Sequence, residues 1–595
     1  MSLAATVVPP PPAQGLPTAA DKANPAFTVW SERFAEDIVR LDPELATQKQ
    51  YFEGPEQAAL DRQLTPRTAV HRAKLAAMRE VGIRRLKQWE KEPLNATQRV
   101  TAAVMLASLE SQADLDRIQD YYFEFNQMGG THIDLVQFMT QVHPLRRAAD
   151  VPAYLARLAQ VSTRIDEAIA CSRAATDKGL LPPRFILERA QAQVGAFLAP
   201  PSIQNVLVVS LVGRTAGLAD LAPPEQAAAI AEADRIVAGQ VLPAFNRLKD
   251  YLAKLHPRTS DVAGLSHLPG GIQAYATALA SFTGSNMTAD EIHALGLREV
   301  ARIEGEMDRH LKTLGFVDGS ITARMAALDA SLQPSVGTDP RPQLLERYRA
   351  IKSDAEVRSG TLFNLRPRAS LTVLREPELT EATASAHYTW PSQDGTRPGT
   401  FWVPLAGPQF KMASMRSLTY HEGIRGHHFQ LALQQEMPSL PKFRRQRIFG
   451  GGSSHSEGWA LYAEYLAIEQ GWYDGDLPGL LGALDAQLFR ARRLVVDTGL
   501  HSKGWSRQRA IDYGINAQEV ERYVAIPGQA CAYMTGMLRI VEMRERARTA
   551  LGPKFSLQGF HDVVLTTGSV PLTVLAKVLD DEVAAQLARP LAGTQ

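Results

Sequence analysis

The sequence predicts a mostly α protein: a large helical body with a deep cleft and one small antiparallel β-sheet near residues 360–410. Three observations lead there. From about residue 26 to 360, apolar residues recur at three- and four-residue spacing, as in FTVWSERFAEDIVRL and AVHRAKLAAMREVGIRRLKQW, the pattern of helices with one buried face. Proline and glycine punctuate that stretch at NQMGG (126–130), LLPPR (180–184), LAPPS (198–202), LPGG (268–271) and LGFVDGS (314–320), cutting it into helices of ordinary length. Between about 360 and 410 the texture changes to short β-branched and aromatic runs, SLTVL, SAHYTW and GTFWVPL, separated by turn residues.

Helices are expected to resume at about 412–434, 455–470, 476–498, 506–512, 516–523, 528–550, 556–565 and 571–590. No fixed-period repeat is present, which argues against a solenoid. The 595 residues exceed the usual single-domain size. The expected organisation is a disordered Pro/Ala-rich leader (1–25), a helical domain (26–360) and a catalytic helical region with the small sheet (361–595). The last two are expected to join in one two-lobed body.

Composition excludes several function classes. Sixty-four Lys and Arg nearly cancel 63 Asp and Glu, so no bulk attraction to nucleic acid or an anionic membrane follows. Two cysteines, Cys171 and Cys531, cannot build a disulfide framework or a C-x-x-C site. No uninterrupted apolar run approaches the ~18 residues that span a bilayer, NVLVVSLVG (205–213) being about half that length, so a soluble protein without membrane insertion is expected. The N-terminus lacks the basic start and apolar centre of a signal peptide. The compartment therefore stays open: periplasmic or secreted if a signal was trimmed, cytoplasmic otherwise.

The chemistry concentrates in SLTYHEGIRGHHFQLALQQE, where His421, Glu422, His427 and His428 crowd together with Gly423 and Gly426. Imidazole nitrogen is a preferred zinc ligand, and a Glu beside the first ligand is where many zinc hydrolases keep their general base. A plain HExxH is absent, since position 425 is Arg. On an ideal helix His427 lies about 120° around from His421, and His428 shares its face but stands ~10.5 Å along the axis. Neither shares a metal with His421 unless the helix is interrupted, and Gly423 and Gly426 permit a bulge or broken turn. A third ligand is expected downstream, and Glu457, near the start of SEGWALYAEYLAIE after a Gly/Ser-rich loop, is the candidate. A carboxylate in a first helical turn also has a plain electrostatic reason to be there. Glu464, two turns on, falls on the same face and could orient a ligating imidazole.

HEGIRGHHFQ followed by SEGWALYAE resembles the bacterial family called domain of unknown function 885, whose motif reads HExxPGHH and then SEGW. The likeness extends to LDPELATQKQYFE, FNQMGGTH, LPGGIQAYATAL, TADEIHALGLREV, DGTRPGTFWV, VVDTGLHSKGWS, IPGQACAYMTGM and FHDVVLTTGSVPL, together spanning about residues 40–580. That family is regarded as zinc-peptidase-like, and its motif order resembles the glutamate-zincin peptidases. The resemblance implies a Zn2+ site made by His421, His427 or His428, and Glu457. Arg425 stands where the family usually has proline, which shifts more of the burden of breaking the helix onto Gly426.

A hydrolytic reaction also needs an oxyanion stabiliser and a surface for the substrate backbone. Tyr533 in PGQACAYMTG is the first candidate donor and His561 the second; a buried core tyrosine is the plainer reading of Tyr533. Arg493, Asp497 and His501 form one polar stripe at four-residue intervals that could meet the metal site or a substrate carboxylate, a solvated ion-pair stripe being the plainer reading. Strand GTFWVPL could add an extended peptide by main-chain pairing, and Tyr275 could line the opposite wall or sit in the core. The expected activity is hydrolysis of a short peptide by metal-activated water. The rivals are an amidase or esterase acting on a non-peptide, and a binding protein with a structural metal. A helical di-iron oxidase would need Glu-x-x-His pairs, which the motif residues do not supply. The ligand types also suit Mn, Co or Fe.

Overall fold

The computed structural model describes residues 22–334, 339–381, 384–392, 395, 397–450 and 452–589. Most of the expected leader lies outside the described residues. The helical reading holds along the chain, and the punctuation falls where proline and glycine put it. Val151–Asp177 stops before the Pro182-Pro183 pair, Arg184–Leu198 before Pro200-Pro201, and Gly271–Thr283 starts after the LPGG turn. Caps define the ends locally, as at Ala289–Thr313, where Thr288 accepts from the Glu291 amide and the Glu291 carboxylate accepts from the Thr288 amide.

Two large hydrophobic cores hold most of these helices. One runs from Phe27 through Trp459 to Leu579 and contains the site region. The other, from Leu64 to Leu255, is centred on the helices between Thr131 and Leu255. Among the described residues, no helix is long and apolar enough to cross a membrane.

The three expected strands are present: β1 (Leu371–Arg375), β2 (His387–Thr389) and β3 (Gly399–Val403). Their arrangement corrects the expectation of an antiparallel sheet. The order is β1-β3-β2, with β1 parallel to β3 and only β2 antiparallel to it. The reason lies in β3, whose Thr400 and Phe401, neighbours that point to opposite faces, are both buried. A strand covered on both faces belongs in the middle of a sheet. The chain reverses twice to place it there, so β1 and β3 run the same way. With both edges paired, β3 cannot add a substrate strand, and β2 is left at a sheet edge.

A close backbone approach near the site joins the helices Ser453–Glu469 and Ala532–Leu551. A Cβ on Gly458 would lie 2.5 Å from the carbonyl carbon of Gly536, and one on Gly536 would lie 2.1 Å from the Ser454 oxygen. Only glycine at both positions permits this crossing. Gly458→Ala is therefore expected to destabilise the protein by roughly 1–3 kcal/mol, the range for overpacked cores. Urea denaturation checks this, and an unshifted midpoint would contradict the crossing.

Candidate metal centre

The segment expected as one helix over 412–434 is two, Met415–Glu422 and His427–Glu436. Gly423 ends the first at φ −108°, ψ −118°, Arg425 takes a left-handed φ of 81°, and Gly426 opens the second. A Cβ on Gly426 would stand 1.8 Å from the carbonyl oxygen of His421 and 2.4 Å from that of Tyr420, so no other residue fits without rebuilding the turn. Proline, with φ fixed near −65°, could not take the conformation Arg425 has. The Arg425 side chain is buried against Trp472, its guanidinium 3.8 Å from the ring centroid, and no hydrogen-bond partner among the described residues reaches its nitrogens. Burial lowers its pKa to about 9.

The break folds His427 back onto His421, their rings 5.0 Å apart and nearly perpendicular. Nε2 of His421 and Nε2 of His427 each lie 3.5 Å from the same oxygen of Glu457. The donor atoms of these three residues all fall within 4.8 Å of one another. Two imidazole nitrogens and one carboxylate oxygen make a donor set suited to a divalent transition metal, with room for a fourth ligand. Solvent reaches the cluster, because the Glu457 side chain is 21% exposed and that of His427 12%.

Behind the cluster, His421 Nδ1–H donates to Glu464 Oε1 at 2.7 Å. Glu464 also accepts from the Ser417 hydroxyl and faces the Arg490 guanidinium at 3.9 Å. Burial alone would lower the pKa of His421, but its bonds to Glu457 and Glu464 outweigh that and raise it to about 9. Burial works the other way on Glu457, yet the two imidazoles hold its carboxyl well below the usual range. Glu464 is likewise lowered despite burial, by Arg490 and His421. Glu422, beside His421, is buried, and that burial raises its pKa.

Several sequence candidates are not among these converging donors. His428 is turned under the sheet, its Nδ1 2.9 Å from the Tyr388 hydroxyl, and burial lowers its pKa to about 4. One residue of sequence is 100° of helix, which is why His427 and His428 cannot face the same ion. His561 has both ring nitrogens engaged: Nδ1–H donates to the Leu362 carbonyl at 2.8 Å, and Nε2 lies 2.9 Å from the Tyr462 hydroxyl. It has no donor left for a substrate. Tyr533 is half-buried under the Arg493 guanidinium, 4.5 Å from its ring centroid.

The polar stripe on the Leu477–Lys503 helix faces the interior. Arg493 donates to the Tyr523 hydroxyl and to Glu519, at 2.9 Å each. Tyr275 is a core residue whose hydroxyl donates to Asp497 at 2.6 Å, and the Gly528 amide donates to the same carboxylate. His501 accepts from the Leu265 amide and donates to the Tyr523 carbonyl. These groups tie distant segments to one helix.

Sequence reasoning missed Tyr388, Trp390, Lys49 and Arg447. Trp390 carries two cations near its ring, Lys49 and Arg447, each 5.5 Å from the centroid. Lys49 lay within LDPELATQKQYFE, and Arg447 just ahead of the Gly/Ser-rich loop, so their segments were visible although their meeting was not.

The family model described as "Bacterial protein of unknown function (DUF885)" matches residues 43–579. No curated protein matches the chain. A crystal structure described as "the putative lipoprotein from Colwellia psychrerythraea" is 28% identical, with TM-score 0.81, covering 93% of this chain and 99% of that one. A structure described as "a putative lipoprotein of unknown function from Shewanella oneidensis" is 21% identical, with TM-score 0.71 and the same coverages, and shows a shared fold.

Burial raises the carboxyl pKa of Asp497 to about 7, against the hydrogen bonds from Tyr275 and Gly528 that lower it. A carboxyl with a raised folded-state pKa contributes stability below its unfolded value near 3.9 and loses it as pH rises through about 7. The stability of the wild type relative to Asp497→Asn should thus fall between pH 4 and 8, by at most ~4 kcal/mol. Thermal melts of both proteins across that range check it; a constant gap would mean that this carboxyl does not titrate there.

Proposed function

Because the chain belongs to the bacterial DUF885 family, its fold and motif come without an assigned reaction, and we propose that it is a zinc-dependent hydrolase acting on short peptides. The observation that carries the proposal is the convergence of His421 Nε2 and His427 Nε2 on one oxygen of Glu457, with Glu422 adjacent in sequence to the first ligand. His421, His427 and Glu457 would hold the ion. Zinc so held polarises a carbonyl and lowers the pKa of water.

The chain's own residues have distinct tasks in this reading. Glu464, fixed by Ser417 and Arg490, occupies Nδ1 of His421 and so commits Nε2 to the site. Glu422 takes the proton from the attacking water and passes it to the leaving amine, a task its burial-raised pKa favours. The descriptions of the two similar structures favour a place at the cell envelope.

Elemental mass spectrometry of purified protein should find about one zinc per chain. His421→Ala, His427→Ala and Glu457→Ala should each lose it, while His428→Ala keeps it, because only the first three side chains converge. Zinc absent from the wild type after reconstitution, or retained by all four variants, would refute the site. Glu422→Gln is expected to retain the metal and lose roughly 10²–10⁴-fold in peptide turnover, the usual share of a general base. Undiminished turnover would remove Glu422 from that role.

A further inference from the structure

Lys49 and Arg447 come from chain segments about 400 residues apart, and each lies 5.5 Å from the ring centroid of the Trp390 indole. Both are substantially withdrawn from solvent, and no carboxylate among the described residues forms an ion pair with either. Burial lowers the pKa of Lys49, with the charge of Arg447 adding to the effect, and burial takes Arg447 down to about 10. Two like charges withdrawn from water around one ring cost stability unless an anion completes them. Arg447 carries a further cost, since it holds a left-handed φ of 57° without being glycine.

The strand segment that carries Trp390 packs on the helix that carries a candidate metal ligand. Trp390 follows Tyr388, whose hydroxyl meets His428, and precedes Pro391, whose carbonyl accepts from Gln435. Both contacts are to the helix that begins with His427. Lys442 donates to the Tyr51 carbonyl, fastening the Lys49 segment to the turn that carries Arg447. Arg447 is also within electrostatic reach of Glu457.

We propose that Lys49 and Arg447, with Trp390 beside them, form an anion subsite that takes the free C-terminal carboxylate of a peptide, so that the enzyme trims peptides from that end. This rests on the hydrolase reading above. A guanidinium binds carboxylate through two parallel N–H donors, and the ammonium adds a point charge. An indole beside them excludes water and packs against the terminal side chain.

The test uses full-length, zinc-loaded protein and one neutral, N-acetylated alanine tripeptide, supplied as the free acid and as the C-terminal amide. Hydrolysis is followed by chromatography, and binding by calorimetry on Glu422→Gln. The wild type is expected to prefer the acid roughly 10–100-fold in kcat/KM, one to two powers of ten being ~1.4–2.7 kcal/mol. Arg447→Gln and Lys49→Gln should each bring the acid-to-amide ratio close to one. Circular dichroism melts identify a variant that fails to fold, and the second variant then decides.

Equal cleavage of acid and amide by the wild type overturns the subsite and leaves the hydrolase. Discrimination that persists in both folded variants overturns it too. If neither peptide is cleaved but the acid alone binds, and the variants abolish that binding, the hydrolase reading falls and the subsite stands. Neither cleavage nor selective binding overturns both.

Discussion

The candidate metal centre depends on one steric constraint: the absence of a side chain at Gly426. Its α-carbon presses on the carbonyls of His421 and Tyr420, closer than any Cβ could tolerate. That contact lets the chain leave one helix and start another within four residues. An unbroken helix would send His421 and His427 to different faces. Broken there, it brings both imidazoles to one oxygen of Glu457. Arg425 accepts a left-handed backbone in the same turn, and its guanidinium lies over Trp472 without a hydrogen bond, so cation–π contact stands in for paired charge.

The third donor is placed by packing of a different kind. Gly458 and Gly536 allow two helices to cross with their backbones in contact, which sets the position of Glu457 and, two turns later, of Glu464. One helix thereby supplies both the carboxylate facing the imidazoles and the carboxylate that holds His421 from behind. Buried acids and bases so close shift one another: His421 is raised and Glu457 lowered in the same contact. Glu422 makes no such tight pair and is dominated by burial.

Elsewhere the same residue types serve structure. Arg493, Asp497 and His501 form a stripe that sequence spacing leaves free to face a metal. Their partners, Tyr523, Tyr275, Gly528 and Leu265, come from segments that the Leu477–Lys503 helix must hold together. His561 and His428 are likewise spent on internal hydrogen bonds. A buried polar group needs a partner wherever it is, so polarity at helical spacing does not by itself mark a site.

The sequence by itself determined the helical class, the breaks at proline and glycine, the three strands, and a motif in which two glycines interrupt a helix between histidines. It did so because helix periodicity, caps and turn residues act over a few neighbouring positions. Strand order was decided only in three dimensions, since β3 lies centrally by virtue of what buries its two faces. The choice of His427 over His428 needed the course of the turn, and the roles of Tyr275 and Asp497 needed their partners. The meeting of Lys49 with Arg447 at Trp390 needed the whole fold. Each of these rests on contacts between residues far apart in the chain, and their geometry is fixed by packing that no local pattern encodes.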